Sequence, residues 1–205
     1  YLRTCFKDTN VGRASAVLTI HNLKFQGIYD RKMIQYWSGL PDYVFNKDCM
    51  IQNWLDANML KGGIAYANKV TTVSNTYAWE IQTEEYGEGL AEHLRYHSDK
   101  IRGIVNGIDT DNWNPATDKL LAANYDTETA IANKKINKKT LQESLGLDVD
   151  DHKIVIGLIS RLTNQKGLDL VNDIIPSIMD EHTQVVVLGT GEERYENMFR
   201  HFDWK

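Results

Sequence analysis

The chain has 205 residues, 42% of them hydrophobic, which is enough to build one large or two small domains. Its formal net charge is −5 and its Lys and Arg residues form no dense block, so a nucleic-acid-binding or anionic-membrane surface is not expected. Cys5 and Cys49 have no C-x-x-C partner, and no apolar run approaches the about 20 residues needed to span a bilayer. These features predict a globular cytoplasmic protein without disulfides.

The first half of the sequence predicts three short strands and three helices. The strands are compact runs rich in β-branched residues, at residues 16–20, 69–74 and 101–105. The helices have recognisable start or stop signals, and they cover residues 31–37, 53–68 and 76–86. Ser74 is suited to cap the third helix.

An aromatic-rich region lies between the first two predicted strands, at Trp37, Tyr43, Phe45 and Trp54. Large aromatic side chains commonly fill protein interiors, so core packing is expected. Stacking faces for sugar rings are the alternative.

The composition shifts in the middle of the chain. Residues 117–125 and 127–145 are polar and predict two helices, and the charged run at residues 133–139 is expected to be a solvated helix face. Gly146 breaks the second helix before an apolar strand begins. We therefore place a domain boundary near residue 150.

The strongest chemical signal follows that boundary. Lys153-Ile-Val-Ile-Gly-Leu-Ile-Ser160 predicts a strand buried on both faces, and Val171, Ile174, Ile175 and Ile178 then mark one face of a helix. Arg161 leaves the carboxyl end of the strand, and Lys166 lies where the helix begins. Both cations and the helix N-terminus would converge where parallel sheets hold ligands, so the pattern predicts a pocket for an anion.

A second strand-to-loop turn follows. Gln184-Val-Val-Val-Leu188 repeats the strand signal, and Gly189-Thr190-Gly191 precedes a helical pattern at residues 192–199. The two glycines would let backbone amides approach a ligand closely. Alternating strands and helices predict an α/β fold with parallel sheets.

Neither a metal nor another cofactor is expected. Asp109, Asp111 and Asn114 lack the glycine and glutamate of an EF-hand loop. The six histidines form no zinc-binding spacing with one another or with the cysteines.

The string Ser160-Arg-Leu-Thr-Asn-Gln-Lys-Gly-Leu-Asp-Leu170 resembles the nucleotide-sugar site of bacterial glycogen synthases and plant starch synthases. Further strings match the family in its order and spacing, and they lie at residues 19–27, 60–74, 85–90, 103–109 and 113–116. The resemblance implies two doubly wound, Rossmann-like domains of the two-domain glycosyltransferase (GT-B) fold. Residues 1–150 would belong to the N-terminal, acceptor-side domain and residues 151–205 to the nucleotide-sugar-binding domain.

The resemblance also implies a reaction and its residues. The family transfers glucose from ADP-glucose to the non-reducing end of an α-1,4-glucan, with retention of configuration and without a metal. Catalytic roles fall to His21 beside the donor sugar, and to Arg161 and Lys166 on the leaving diphosphate. Substrate-binding roles fall to Asn106, Gly189, Thr190 and Gly191.

Each assignment has a structural alternative. His21 would simply hydrogen-bond within its loop. Asn106 would belong to an Asn-Gly turn that tolerates positive φ. The two cations after the strand would pair with Asp169 or Asp173.

The resemblance further implies that the chain is an internal fragment. It would lack the early Lys-Gly-Gly loop of the family, for which Lys61-Gly-Gly63 is not a substitute, and the later paired glutamates. The isolated piece is therefore expected to be inactive, and its truncated domains are expected to be prone to self-association through exposed sheet edges.

Two other functions stay open. One is a related two-domain glycosyltransferase that uses UDP-glucose. The other is a non-catalytic glucan-binding module, against which the joint presence of His21, Arg161 and Lys166 argues.

Overall fold

The structure, a computed structural model, describes residues 1–53 and 56–203. The chain divides into two compact units, Tyr1–Ile108 and Asp109–Lys205. Residues 109–150 cluster with the second unit, and the domain boundary near residue 150 stays a prediction. No helix within the described residues is long and apolar enough to cross a membrane.

The first unit contains six strands and four helices in its described residues. The strands are β1 (Val17–Ile20), β2 (Ile28–Asp30), β3 (Ile51–Asn53), β4 (Asp56–Asn58), β5 (Lys69–Thr72) and β6 (Ile101–Gly103). The helices are α1 (Arg31–Ser38), α2 (Met59–Tyr66), α3 (Asn75–Glu80) and α4 (Ala91–Tyr96).

A parallel three-stranded sheet is the centre of this unit. Its order is β1-β5-β6, with Val17 opposite Lys69 and Val70 opposite Ile101. The helices α2, α3 and α4 contribute apolar side chains to the core around it. That core contains Ile20, Leu23, Ile64, Val70, Ile81, Leu90, Leu94 and Ile101, all at most 5% exposed. All three predicted strands of the first half are confirmed.

A second, antiparallel sheet in this unit has the order β2-β4-β3. The helix predicted over residues 53–68 is wrong at its start, because residues 56–58 pair with β2 and β3 as β4. The helix begins only at Met59, after Asn58 accepts a hydrogen bond from Lys61 N. A capping residue has non-helical backbone angles, here φ of −103° and ψ of 110°, so the helix cannot begin before it.

The other predicted helix starts hold. Asp30 caps α1 through Met33 N at 2.8 Å, and Gly39 ends that helix with φ of +61°. Ser74 Oγ accepts from Tyr77 N at 3.3 Å and caps α3, as predicted. That helix ends at Glu80, short of the predicted residue 86.

The aromatic-rich region is divided between the core and the surface. Phe45 is buried, as core packing predicted. For Trp37 and Tyr43 core packing is wrong, because 81% and 60% of their surfaces are exposed. Helix α1 has no buried residue, and its aromatic side chains, Tyr36 and Trp37, are not covered by any other part of the described chain. Trp54 lies outside the described residues.

Two histidines of α4 and its C-terminal flank form a polar cluster with two lysines. The rings of His93 and His97 meet edge to face at 4.7 Å, and His93 Nε2 lies 3.1 Å from the carbonyl oxygen of Lys61. Lys100 Nζ donates to the carbonyls of residues 65 and 67 at the end of α2. Partial burial, together with His97 and the lysines, lowers the pKa of His93 to about 4.

The second unit contains two strands and three helices in its described residues. They are α5 (Ala130–Ser144), β7 (Ile154–Ile159), α6 (Leu168–Ile178), β8 (Thr183–Leu188) and α7 (Glu193–Asp203). The strands are parallel, with Ile154 opposite Thr183 and Ile159 opposite Leu188. This β-α-β arrangement confirms the predicted elements on both sides of the cation-bearing turn.

The prediction that β7 is buried on both faces is wrong for this chain. Ile154, Ile156 and Ile159 are 63%, 39% and 77% exposed. Within the described residues β7 pairs with β8 alone, so one edge of β7 has no neighbouring strand, and most of its side chains are exposed. The apolar run therefore forms the predicted strand, but its side chains are not fully buried in this chain.

The helix predicted over residues 117–125 is also wrong, since the segment forms turns. Asp118 Oδ1 accepts from Leu120 N at 2.8 Å, and Asn124 Nδ2 donates to two backbone carbonyls, those of Pro115 and Asp118. Short polar side chains that bond the nearby backbone in this way compete with helix formation. The neighbouring prediction, a polar helix over residues 127–145, is confirmed by α5.

Candidate functional site

The turn that carries Arg161 and Lys166 links β7 to α6 in the second unit. Arg161 follows the carboxyl end of β7, and Lys166 ends a short 3₁₀ turn at Asn164–Lys166. Gly167 then adopts φ of +64° and is the N-cap residue of α6. The turn is therefore at the strand end and helix start that the sequence predicted.

Both cations are exposed to solvent. Within the described residues, neither Arg161 nor Lys166 forms a salt bridge, so the alternative of pairing with Asp169 or Asp173 is not observed. Two exposed cations beside the N-terminus of an eleven-residue helix provide positive potential for an anionic ligand.

Backbone hydrogen bonds attach this turn to the segment after β8. Leu162 N donates to Thr190 O at 2.9 Å, and Glu192 N donates to Leu162 O at 2.8 Å. Leu162 and Gly191 form a parallel bridge that extends the two-stranded sheet beyond its regular ends. The Gly189-Thr190-Gly191 turn is thus brought beside the cation-bearing turn.

The two glycines of that turn are needed for packing between backbones. A Cβ atom at Gly189 would lie 1.9 Å from Ser160 O, and one at Gly191 would lie 2.2 Å from Leu162 O. Real Cβ atoms do not approach so closely, so any larger residue would push the two turns apart. Roles of Gly189, Thr190 and Gly191 in nucleotide binding stay predictions.

A carboxylate already accepts one amide of this turn. Gly191 N donates to Glu196 Oε1 at 3.0 Å, and Arg200 contacts the same carboxylate at 3.0 Å. The Gly191 amide and Arg200 lower the pKa of Glu196. A ligand that used the Gly191 amide would have to displace this carboxylate.

In the first unit, the predicted residues follow the carboxyl ends of parallel strands. His21 follows β1, Asn106 comes three residues after β6, and β5 lies between these two strands. Both side chains are exposed. The side chain of His21 makes no hydrogen bond within the described residues, so its loop-bonding alternative is not observed.

The alternative for Asn106 also fails in its stated form. Neither Asn106 nor Gly107 has a positive φ, so the Asn-Gly pair is not required by a left-handed turn. A methyl group at Gly107 would meet nothing within 4 Å. The backbone therefore supplies no structural reason for this pair, and a sugar-binding role for Asn106 stays a prediction.

A network that sequence reasoning missed holds the loop after His21. Leu23 N donates to the Tyr77 hydroxyl at 3.0 Å. Gln26 Nε2 donates to Glu88 O at 2.8 Å, and Asn58 Nδ2 donates to Gln26 Oε1 at 2.5 Å. Gly27 turns the chain with φ of +64°.

Asn58 is the centre of this network and is fully buried. Besides bonding Gln26, its amide donates to Gln52 Oε1 at 2.5 Å, and its oxygen caps α2. The only sequence signal was a capping residue before an apolar helix, and nothing local indicated that it would also bond the side chains of Gln52 and the distant Gln26. The network leaves the His21 loop tied to α2 and to the loop before α4.

No group of three or more His, Cys, Asp or Glu side chains that could hold a metal ion is found in residues 1–53 and 56–203. The expectation that no metal is needed stays a prediction.

Comparisons with known proteins identify the family. A family profile described as "Starch synthase catalytic domain" matches residues 1–96. Glycogen synthase from Lachnospira eligens is 56% identical over 190 residues, which cover 93% of this chain and 40% of that protein. Glycogen synthase from Thermotoga petrophila is 50% identical over 203 residues, covering 98% of this chain and 41% of that protein.

A solved structure agrees with the sequence relatives. The catalytic domain of starch synthase IV from Arabidopsis thaliana, bound to ADP and acarbose, matches with a TM-score of 0.84 and 34% identity. The match covers 98% of this chain and 41% of that one, so the predicted GT-B architecture is confirmed. The chain spans about two fifths of the length of the curated relatives it matches. It belongs to the glycogen synthase and starch synthase family.

Proposed function

We propose that this chain contributes donor-site residues to a retaining glucosyltransferase that transfers glucose from ADP-glucose to the non-reducing end of an α-1,4-glucan. The observation that carries the proposal is the exposed pair Arg161 and Lys166, on a turn between a parallel strand and a helix N-terminus. The similarity to glycogen synthases and to a starch synthase structure bound to ADP supports a nucleoside diphosphate as the anion.

Negative charge on the diphosphate grows as the glycosidic bond breaks, and the protein must stabilise it. An arginine offers two parallel N–H donors and a lysine a compact charge, and both act at full strength when they are held in place before the reaction. We assign Arg161 and Lys166 to this leaving group. Each cation is expected to contribute a factor of ~10²–10³ to the rate, by analogy with oxyanion donors.

His21 and Asn106 are assigned to the glucose unit of the donor. Their exposure at the carboxyl ends of β1 and β6 supports this, because ligands of doubly wound sheets bind at those ends. His21 would hydrogen-bond the sugar, and the hydrogen bonds that hold the following loop would restrict the position of the imidazole. The glycines at residues 189 and 191 are assigned to the nucleotide side.

The test uses the full-length gene product. Calorimetric titration with ADP-glucose and UDP-glucose would be carried out on the wild type, Arg161→Ala and Lys166→Ala. Lys119→Ala is the matched control, since it removes an exposed lysine of the same unit away from the turn. We expect ADP-glucose to bind more tightly than UDP-glucose, both test variants to weaken that binding at least tenfold, about 1.4 kcal/mol, and the control to leave it unchanged.

Each other outcome favours a different function. Tighter binding of UDP-glucose with the same loss in both variants would make the protein a UDP-glucose-dependent transferase. Binding of maltooligosaccharide without either sugar nucleotide would support a non-catalytic glucan-binding module. If Arg161→Ala and Lys166→Ala bind like the control, the assignment of the turn is refuted.

We also propose that residues 1–205 alone lack synthase activity, that they self-associate through exposed strand edges, and that the parent protein is cytoplasmic. β1 and β6 are the edge strands of the parallel three-stranded sheet, and in the β7-β8 sheet Ile154 and Ile159 expose apolar surface. Glucose transfer by the 205-residue chain at the full-length rate would contradict the first of these. Sedimentation as a monomer at all concentrations would contradict the second.

A further inference from the structure

We propose that Tyr195, which has no predicted role in the reaction, is a positioning residue for the turn that carries Arg161 and Lys166. The inference rests on the proposed function, because it concerns how these two cations are held for a diphosphate. Tyr195 acts through Asn164 and does not itself touch the ligand.

The turn has little capping of its own. Thr163, at the start of its 3₁₀ segment, makes no capping hydrogen bond, and its buried Oγ1 finds no partner in the described chain. Gly167, at the start of α6, has no side chain with which to cap that helix. Backbone hydrogen bonds close the turn, from Lys166 N to Thr163 O at 3.0 Å and from Gly167 N to Asn164 O at 3.2 Å. Side-chain support for the turn comes from elsewhere in the unit.

Asn164 receives that support from the segment after β8. Its backbone N–H donates to Glu192 Oε1 at 3.1 Å, and its side-chain oxygen accepts from the Tyr195 hydroxyl at 3.1 Å. Both ends of Asn164 are thus held by residues 28 and 31 positions later. Lys166 is only two residues after Asn164, and Arg161 is three residues before it.

Tyr195 is itself firmly held. Only 5% of its surface is exposed, and it shares a core cluster with Leu162 and Leu168, one on the turn and one at the start of α6. Arg194 lies over its ring at 4.4 Å from the centroid and pairs with Glu192 at 2.9 Å. A buried phenol with a fixed ring can direct its hydroxyl at one acceptor with little loss of entropy.

The geometry predicts a specific division of effects. Removing the hydroxyl should loosen Asn164 and hence the placement of both cations, while the ring continues to fill the core. Binding of the diphosphate should therefore weaken, whereas binding of the nucleoside part should not. A net hydrogen-bond contribution of the usual size corresponds to a loss of about 3- to 10-fold in affinity.

The test compares Tyr195→Phe with Tyr125→Phe in the full-length protein. Tyr125 is a half-buried tyrosine of the same unit whose ring lies beneath Lys134, so the control removes a phenol hydroxyl away from the turn. Affinities for ADP and for adenosine would be measured by titration, the latter by competition. We expect only Tyr195→Phe to weaken ADP, by about 3- to 10-fold, with adenosine unchanged.

A second variant guards against a general loss of structure. Asn164→Ala removes the acceptor, so combining it with Tyr195→Phe should weaken ADP binding no further than Asn164→Ala alone. Additive losses, or equal losses for ADP and adenosine, would show that Tyr195 only stabilises the unit and would overturn the inference. Unchanged ADP affinity in Tyr195→Phe, with a loss in Arg161→Ala, would refute the positioning role but leave the proposed function. No loss in Arg161→Ala would remove both.

Discussion

The buried amide network around Asn58 allows a quantitative prediction about stability. Asn58→Ala removes the N-cap of α2, which is worth ~1 kcal/mol. It also removes the hydrogen bonds to Gln26 and Gln52, each worth ~1 kcal/mol net. Because Asn58 is fully buried, water cannot replace these partners, and we expect a total loss of ~3 kcal/mol in the free energy of unfolding.

Asn58→Ser is the matched control, because serine retains a capping oxygen but cannot reach both distant amides. It should lose ~2 kcal/mol, so the difference between the two variants isolates the cap. The assay is urea unfolding followed by circular dichroism, fitted with a separate transition for each unit. Hydrogen exchange of residues 21–27 should increase in both variants, since Gln26 holds that loop. Alanine and serine variants of wild-type stability would refute the reasoning.

Three further predictions concern other parts of the chain. Gly189→Ala should lower the stability of the second unit by at least ~2 kcal/mol, because its Cβ would meet Ser160 O at 1.9 Å, whereas Gly157→Ala, where a Cβ meets nothing within 4 Å, should be nearly neutral in the same urea assay. The pKa of His93 is lowered to about 4 from an ordinary 6.5, so the unfolded chain binds a proton more readily than the folded chain does. The stability that His93 contributes to the folded state is therefore fully present above pH 6.5 and is lost as pH falls towards 4. Solvent screening of this half-buried ring limits that contribution to the unfolding free energy to ~1 kcal/mol. If His93→Gln shows the same dependence of unfolding free energy on pH between 7 and 4 as the wild type, His93 is not the group responsible. Trp37→Ala should change unfolding free energy by less than ~0.5 kcal/mol, because 81% of its surface is exposed, and a larger loss would mean that the indole packs against the chain in solution.

Local signals predicted the elements that carry the candidate site. Strand runs end where His21 and Arg161 begin their loops, and the Ser74 cap lies where its helix starts. These features depend on residues a few positions apart, so periodicity and capping chemistry are sufficient to find them. Over residues 117–125 the polar composition suggested a helix that does not form, because short side chains such as Asp118 and Asn124 bond the nearby backbone instead.

The sequence alone thus determined most of the α/β elements, the cation pair and its place between a strand and a helix, and, through its motifs, the family. Only the tertiary structure decided that Ile159 is exposed, that residues 56–58 form a strand, and that Tyr195 bonds a residue 31 positions earlier. Burial depends on how many strands and helices cover a face, and a long-range hydrogen bond depends on how two distant segments meet. The local pattern of residues predicts neither the burial of a face nor a long-range hydrogen bond, because both depend on how the whole unit packs.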